Sequence, residues 1–373
     1  MTAPFPDAPM SPVPPAPPSP PSGPRRRWPL VFGLSVAVVV LIVLLGTVIR
    51  LPYVIYSPGD ATPVEGIVRI SGAKTYRSRG AVLFLTVAVS RGRPNVWRFL
   101  AAKLDKDSDI VGEDNFLQGQ SRSRVDKENV VAMDDSQLAA KKVALEAVGY
   151  KVTATGQGAV IAQVVKGSPA DGHLKVGDVV TAINGQPIRL ADQIGPLVRS
   201  KPVGTTFVFT VTRENGTRSE SITTVAGKNG ALRGKPQVGI APVTKNVDLR
   251  FPVGVTIDPG PVSGPSAGLA FTLTIIDELT PGSLTGGQKV AVTGTMDLQG
   301  NVGEVGGVPQ KTAAALDAGA KLFIVPTQEV AQAKKRAGSD ATVVGVKTID
   351  DALRALREHG GAPVRKVGAA AAA

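Results

Sequence analysis

The chain has 373 residues, 43% of them hydrophobic and 19% charged, with a formal net charge of +12 and no cysteine. That length accommodates two or three domains with separate cores, and the lack of cysteine excludes disulfides, thiolate nucleophiles and cysteine-based zinc sites. The Lys and Arg residues are spread along the chain and aromatics make up only 4%, which argues against a nucleic-acid surface of interleaved basic and stacking side chains; attraction to an anionic membrane surface is the simpler expectation.

Residues 1–24 hold the run PFPDAPMSPVPPAPPSPPSGP. It has too little apolar surface to offset the entropy of ordering and is expected to be a disordered tail. Residues 28–49 follow without a charge between Arg27 and Arg50, a stretch long enough to cross a hydrocarbon core of roughly 30 Å as one helix. A cleaved signal peptide is the competing reading, but the apolar run is too long and lacks a small-x-small cleavage site. Arg25, Arg26 and Arg27 precede the segment and only Arg50 closely follows it. The positive-inside bias then predicts a single-pass protein of the cell membrane, with a cytoplasmic N-terminus and everything after Arg50 outside the cytoplasm.

Residues 51–150 are expected to form an N-terminal extracytoplasmic α+β region without chemistry of its own. Alternation in LPYVIYSPGDATPVEGIVRISG and the run GAVLFLTVAV predict strands. DDSQLAAKKVALEAVGY, from Asp134, predicts a helix of about four turns ended by Gly149.

Residues 151–228 contain GQGAVIAQVVKGSPADGHLKVGDVVTAINGQPI. The glycine-bearing loop and strand at 156–165, the GSPA turn, the GDVV strand and the INGQPI hairpin resemble a PDZ domain. The resemblance implies an α+β module that binds an extended peptide by strand addition. It also implies that the loop Gly156, Gln157, Gly158 and Ala159 captures a C-terminal carboxylate. A PDZ fold used only as a spacer is the alternative.

DPGPVSGPSAGLAFTLTIIDEL, at 258–279, places Ser266 where Pro265 starts a nearly all-apolar helix. A serine there is either a cap or a nucleophile held where helix amides and the dipole favour an oxyanion. A nucleophile needs a base. The two histidines, His173 in a DGHL turn and His359 at the end of ALREH, both fit structural roles. Lys311 is the remaining option: it lies in the first turn of an Ala-rich helix begun at Pro309 and stopped at Gly319. The dipole and burial there should lower its pKa from about 10.4.

GPSAG at 264–268, LTGGQKVAVTGTMDLQGNVGEVGG at 284–307 and PQKTAAALDAGAKLFIVP at 309–326 resemble the proteolytic domain of Lon-type proteases, over about 230–358. The spacing of the two residues, 311 − 266 = 45, also fits that Ser-Lys dyad family. The resemblance implies Ser266 as nucleophile and Lys311 as general base. It further implies support from the backbone at Gly264 and Ala267, and Thr293 as a hydrogen-bond partner of Lys311. Ser263 and Thr295 stand where many Lon proteases carry acidic residues.

No G-x-x-x-x-G-K-[ST] phosphate loop occurs in these residues. The expected fold class is therefore multidomain: a single N-terminal transmembrane helix, an α+β PDZ domain and an α+β Lon-type proteolytic domain, with a flexible tail at 359–373. The order resembles the membrane-anchored PDZ/Lon-type serine proteases of bacteria. It implies an ATP-independent endopeptidase for unfolded or extended polypeptides, with the PDZ module presenting or gating substrate. Neither metal nor cofactor is expected, the bilayer is a partner through residues 28–49, and the resemblance leaves room for a homo-oligomer. A catalytically silent scaffold and an α/β-hydrolase, since GPSAG also satisfies G-x-S-x-G, are the rival readings.

Overall fold

The computed structural model describes residues 28–213, 216–227 and 233–367; the Pro-rich segment 1–24, the flanking Arg25 to Arg27 and the end of the chain from 368 lie outside the described residues. In chain order the elements used below are α1 (Trp28–Val48), β1 (Tyr53–Pro63), β2 (Val68–Ser71), β3 (Ala81–Val89), α2 (Val96–Leu104), β4 (Asp109–Gly112) and α3 (Arg122–Ala147). There follow β5 (Ala159–Val164), β6 (Val179–Ile183), α4 (Ile194–Arg199), β7 (Thr206–Arg213), β8 (Gly216–Thr223), β9 (Ile240–Thr244) and β10 (Gly254–Ile257). The last group is α5 (Gly268–Leu279), β11 (Lys289–Val292), α6 (Val308–Asp317), β12 (Leu322–Pro326), α7 (Val330–Ala337), β13 (Thr342–Val346) and α8 (Ile349–Glu358).

One six-stranded mixed sheet organises the larger unit, in the order β13-β12-β11-β3-β1-β4. Its central strands are apolar at nearly every position because both faces are covered. Side chains alternate between faces. Val82, Phe84, Val290, Val292, Leu322 and Ile324 enter a core with α3, α5 and α8. Leu83, Leu85, Ala291, Phe323 and Val325 enter a second core with α6 and α7. α5 is buried almost all round, and each of its large apolar side chains contributes about 1.5–3 kcal/mol by burial.

This sheet corrects two expected boundaries. β3 pairs in parallel with β11, Lys289 opposite Ala81 through Val292 opposite Phe84, and β2 pairs with β10. Residues 51–150 are thus no separate region: they supply four strands and a long helix to the same unit as the C-terminal segment. The segment 359–373, expected to be a flexible tail, is anchored as far as Val367, which donates from its N–H to the Val148 carbonyl at 2.8 Å; Val364 and Val367 pack against the main core. The helix expected from Asp134 starts earlier, at Arg122, capped by the Ser121 hydroxyl.

The second sheet, β8-β7-β6-β5-β9, belongs to the insertion and has its own core around Phe207, Phe209, Ile161 and Ile183. Entry and exit chains pair as a short neck, Thr153–Thr155 against Asp248–Arg250.

Candidate functional site

Two helices on opposite faces of the main sheet converge beyond the C-terminal end of β11. α5 on one face is preceded by the turn Pro265–Ala267, and α6 on the other carries Lys311 in its first turn. The crevice outside the carboxyl ends of parallel strands is where such sheets place ligands.

Ser266 does not cap α5. The helix N-cap is Ala267, and no side-chain capping bond is made there. The Ser266 carbonyl instead accepts from the Gly294 N–H at 3.0 Å and from the Thr293 hydroxyl at 3.3 Å. α3 holds the approach to the turn: the Ser136 hydroxyl donates to the Pro265 carbonyl at 2.8 Å, and the Asn129 carbonyl accepts from Gly264 N–H. Gly264 has φ 99°, a conformation that side chains with a Cβ resist. Gly268 is required for space, since a Cβ there would run into Ser136 and Met296.

Lys311 is 3% exposed. Its Nζ donates to the Thr293 hydroxyl at 3.1 Å. Burial lowers its pKa from 10.5 to about 8, opposed by the negative charge of Glu329. Thr293, fully buried, lies directly after β11 and links the lysine to the Ser266 backbone.

Glu329, 7% exposed, was not singled out in the sequence. One carboxylate oxygen accepts from Val305 N–H at 2.6 Å, and the other is buried without a hydrogen-bond partner among the described residues. Burial raises its pKa, while the Val305 bond and Lys311 pull it down. A single acidic residue after IVPTQ carries no periodic signal, so only the packing of α7 against α6 reveals it.

Both histidines take structural positions. His173 Nδ1 lies 3.3 Å from Glu220, and His359 caps α8 with Nδ1 at 2.8 Å from the Ala355 carbonyl. Among the described residues no cluster of His, Cys, Asp and Glu could hold a metal.

The loop Gly156 to Ala159 is not open to a peptide, which corrects the sequence expectation. Gln157 N–H donates to the Lys245 carbonyl at 2.9 Å and Gly158 N–H to the Arg189 carbonyl at 3.2 Å. The strand after it, β5, is paired on both edges, with β6 and with β9. The end of the sheet is β9, preceded by Val238 and Gly239, the latter at φ 85°. β9 packs beside the turn Ala191–Gln193 that leads into α4, and Ala191 N–H donates to the Thr244 hydroxyl at 2.9 Å. Sequence order hid this, because a strand after the module completes its edge.

Comparison with known proteins agrees with the two folds. Residues 146–224 match the PDZ domain family and residues 234–358 match the Lon protease (S16) C-terminal proteolytic domain. The Lon protease of Geobacter metallireducens is 34% identical over 116 residues, covering 30% of this chain and 13% of that protein. Lon protease 2 of Bacillus subtilis is 32% identical over 142 residues, covering 37% and 24%. The chain thus spans at most about a quarter of the length of either relative. Among solved structures, the PDZ domain of the SdrC-like protein of Listeria innocua is 30% identical over 23% of this chain and 92% of that one, with a TM-score of 0.21.

The chain is multidomain and carries a PDZ domain together with the proteolytic domain of a Lon-type serine peptidase.

Proposed function

We propose that this protein is a membrane-tethered, ATP-independent serine endopeptidase acting outside the cytoplasm, with Ser266 as nucleophile and Lys311 as general base. The observation that carries the reading is the buried Lys311 amine, lowered to about 8 and directed onto the Thr293 hydroxyl that holds the Ser266 backbone.

The neutral amine takes the Ser266 hydroxyl proton as the oxygen attacks a peptide carbonyl. The N–H groups of Ser266 and Ala267, at the positive end of α5, stabilise the oxyanion, since Pro265 has none and that of Gly264 is held by the Asn129 carbonyl. The resulting ammonium protonates the leaving amine, and water then hydrolyses the acyl-enzyme by the reverse path.

The tether is α1, whose 21 residues span roughly 30 Å and whose apolar side chains are largely exposed. The peptide groove of the PDZ module is assigned to the outer edge of β9 beside α4, with the Val238 and Gly239 amides at its closed end. An unpaired strand edge accepts an extended peptide through main-chain bonds, so substrates are unfolded or extended segments.

The test is cleavage of casein without ATP by the full chain in detergent, together with labelling by a fluorophosphonate or peptide-boronate probe. Wild type should cleave and label, and Ser266→Ala and Lys311→Ala should each abolish cleavage. A folded wild type that neither labels nor cleaves peptides would favour a scaffold. Binding of a fluorescent peptide with a free C-terminus, compared with its amidated form, tests the carboxylate end of the groove.

A further inference from the structure

α2 follows the membrane-length helix by less than fifty residues yet returns to it. The Trp97 indole N–H donates to the Val43 carbonyl at 3.1 Å. A Cβ at Gly46 would run into the same indole. Val43 and Gly46 both lie inside the apolar window Val31–Val48. At about 1.5 Å per residue, Val43 sits roughly 7 Å below the end of that window.

The exposed side of α2 is apolar where a soluble surface helix would be polar. Trp97 is 38% exposed, Leu100 44% and Leu104 88%, and Ala101 is exposed beside them. Their spacing of three and four places all four on one stripe. The opposite side faces protein: Ala102 is buried, and the Phe99 ring lies 5.0 Å from that of Tyr53 at the start of β1. Arg50, Arg91, Arg98, Lys103 and Lys106 are exposed around the stripe, with Asp105 as the exposed acid next to Leu104.

We propose that α2 is an interfacial helix lying in the headgroup boundary of an anionic bilayer, with Trp97, Leu100, Ala101 and Leu104 toward the acyl chains. The proposal rests on the reading of α1 as the membrane span. The occupant of the stripe is lipid because the stripe is continuous with the lipid-facing surface of α1. The depth of Val43 also equals the roughly 5–10 Å to which such helices sink. Tryptophan suits this level, and the basic rim complements anionic headgroups. Through Phe99 and Tyr53 the sheet that carries the catalytic crevice is held at a fixed tilt to the membrane.

Trp28 and Trp97 are the two tryptophans of the chain, so each becomes a single reporter when the other is replaced. The full chain carrying Trp28→Phe or Trp97→Phe is reconstituted into vesicles of phosphatidylcholine and phosphatidylglycerol, with and without lipids brominated on the acyl chain. Trp97 should lose emission to a degree comparable with Trp28, and Leu100→Asp with Leu104→Asp should relieve the loss at Trp97. Both leucines are exposed, and an unchanged thermal melt verifies that the fold survives. Quenching of Trp28 without quenching of Trp97 overturns the proposal and leaves the anchor standing, including the case in which a second copy covers the stripe. Absence of quenching at both removes the span reading and the proposal with it. Quenching of Trp97 that ignores the aspartates overturns the assignment of the stripe.

Discussion

The Nζ of Lys311 and the hydroxyl of Thr293 lie 3.1 Å apart, and the same hydroxyl donates to the Ser266 carbonyl at 3.3 Å. One threonine thereby fixes both halves of the proposed dyad, the amine through its lone pair and the serine through the backbone. Thr293→Val keeps the shape and removes the hydroxyl, leaving a buried amine without that acceptor. Cleavage should fall about tenfold or more, the equivalent of roughly 1–3 kcal/mol for an unsatisfied buried group. Thr293→Ser should retain most activity. Steady-state kinetics on a fluorogenic peptide decide it, and equal rates for the Val variant would remove Thr293 from the mechanism.

The lowered pKa of Lys311 makes two predictions with one cause. Activity needs the neutral amine, so kcat/KM should rise with pH and level off above about 8. Between about 8 and 10.5 the unfolded chain holds this proton and the folded chain does not. Stability therefore increases with pH across that window, and at neutral pH burial of the lysine costs on the order of 3 kcal/mol. Lys311→Met should be inactive yet more stable at pH 7, with the gain fading toward pH 10.5. Denaturant melts at the two pH values check this, and a less stable Met variant at pH 7 would contradict it.

Glu329 acts on the same amine in the opposite direction, because its carboxylate favours the charged lysine. In Glu329→Gln the amide oxygen can still accept from Val305 N–H, while the charge is gone. The acidic limb of the pH profile should move to lower pH. A profile that stays in place would show that Glu329 is neutral already, or too well screened to matter.

The neck predicts that the PDZ insertion is separable. Thr155 lies opposite Asp248 at the end of the paired strands, so replacing residues 156–247 by Asn-Gly closes a two-residue hairpin. The remaining unit should melt cooperatively within about 4 °C of the parent, the shift expected from roughly 1 kcal/mol in a domain of this size. It should also keep probe labelling at Ser266. Loss of folding would mean that the insertion supports the main sheet.

Short-range chemistry was written plainly in the chain. The charge-free run before Arg50, the proline and glycine that bound the Lys311 helix, and the GPSAG turn each depend on neighbours a few residues away. They predicted α1, α6 and the serine at the head of α5. The amine's burial also followed, since Ala-rich helix and dipole point the same way, although its depth came from packing across β1 and β3.

What only the tertiary structure decided were the long-range pairings. β3 lies beside β11 across some two hundred residues of chain, and β9 completes a sheet begun at β5. A strand's own sequence specifies which faces it buries, because alternation is local, but it does not name the neighbour that shares its hydrogen bonds. For that reason residues 51–150 read as a separate region and the loop at Gly156 read as an open one. Glu329 escaped notice for the same cause: a lone carboxylate acquires meaning from the charge that folding brings against it.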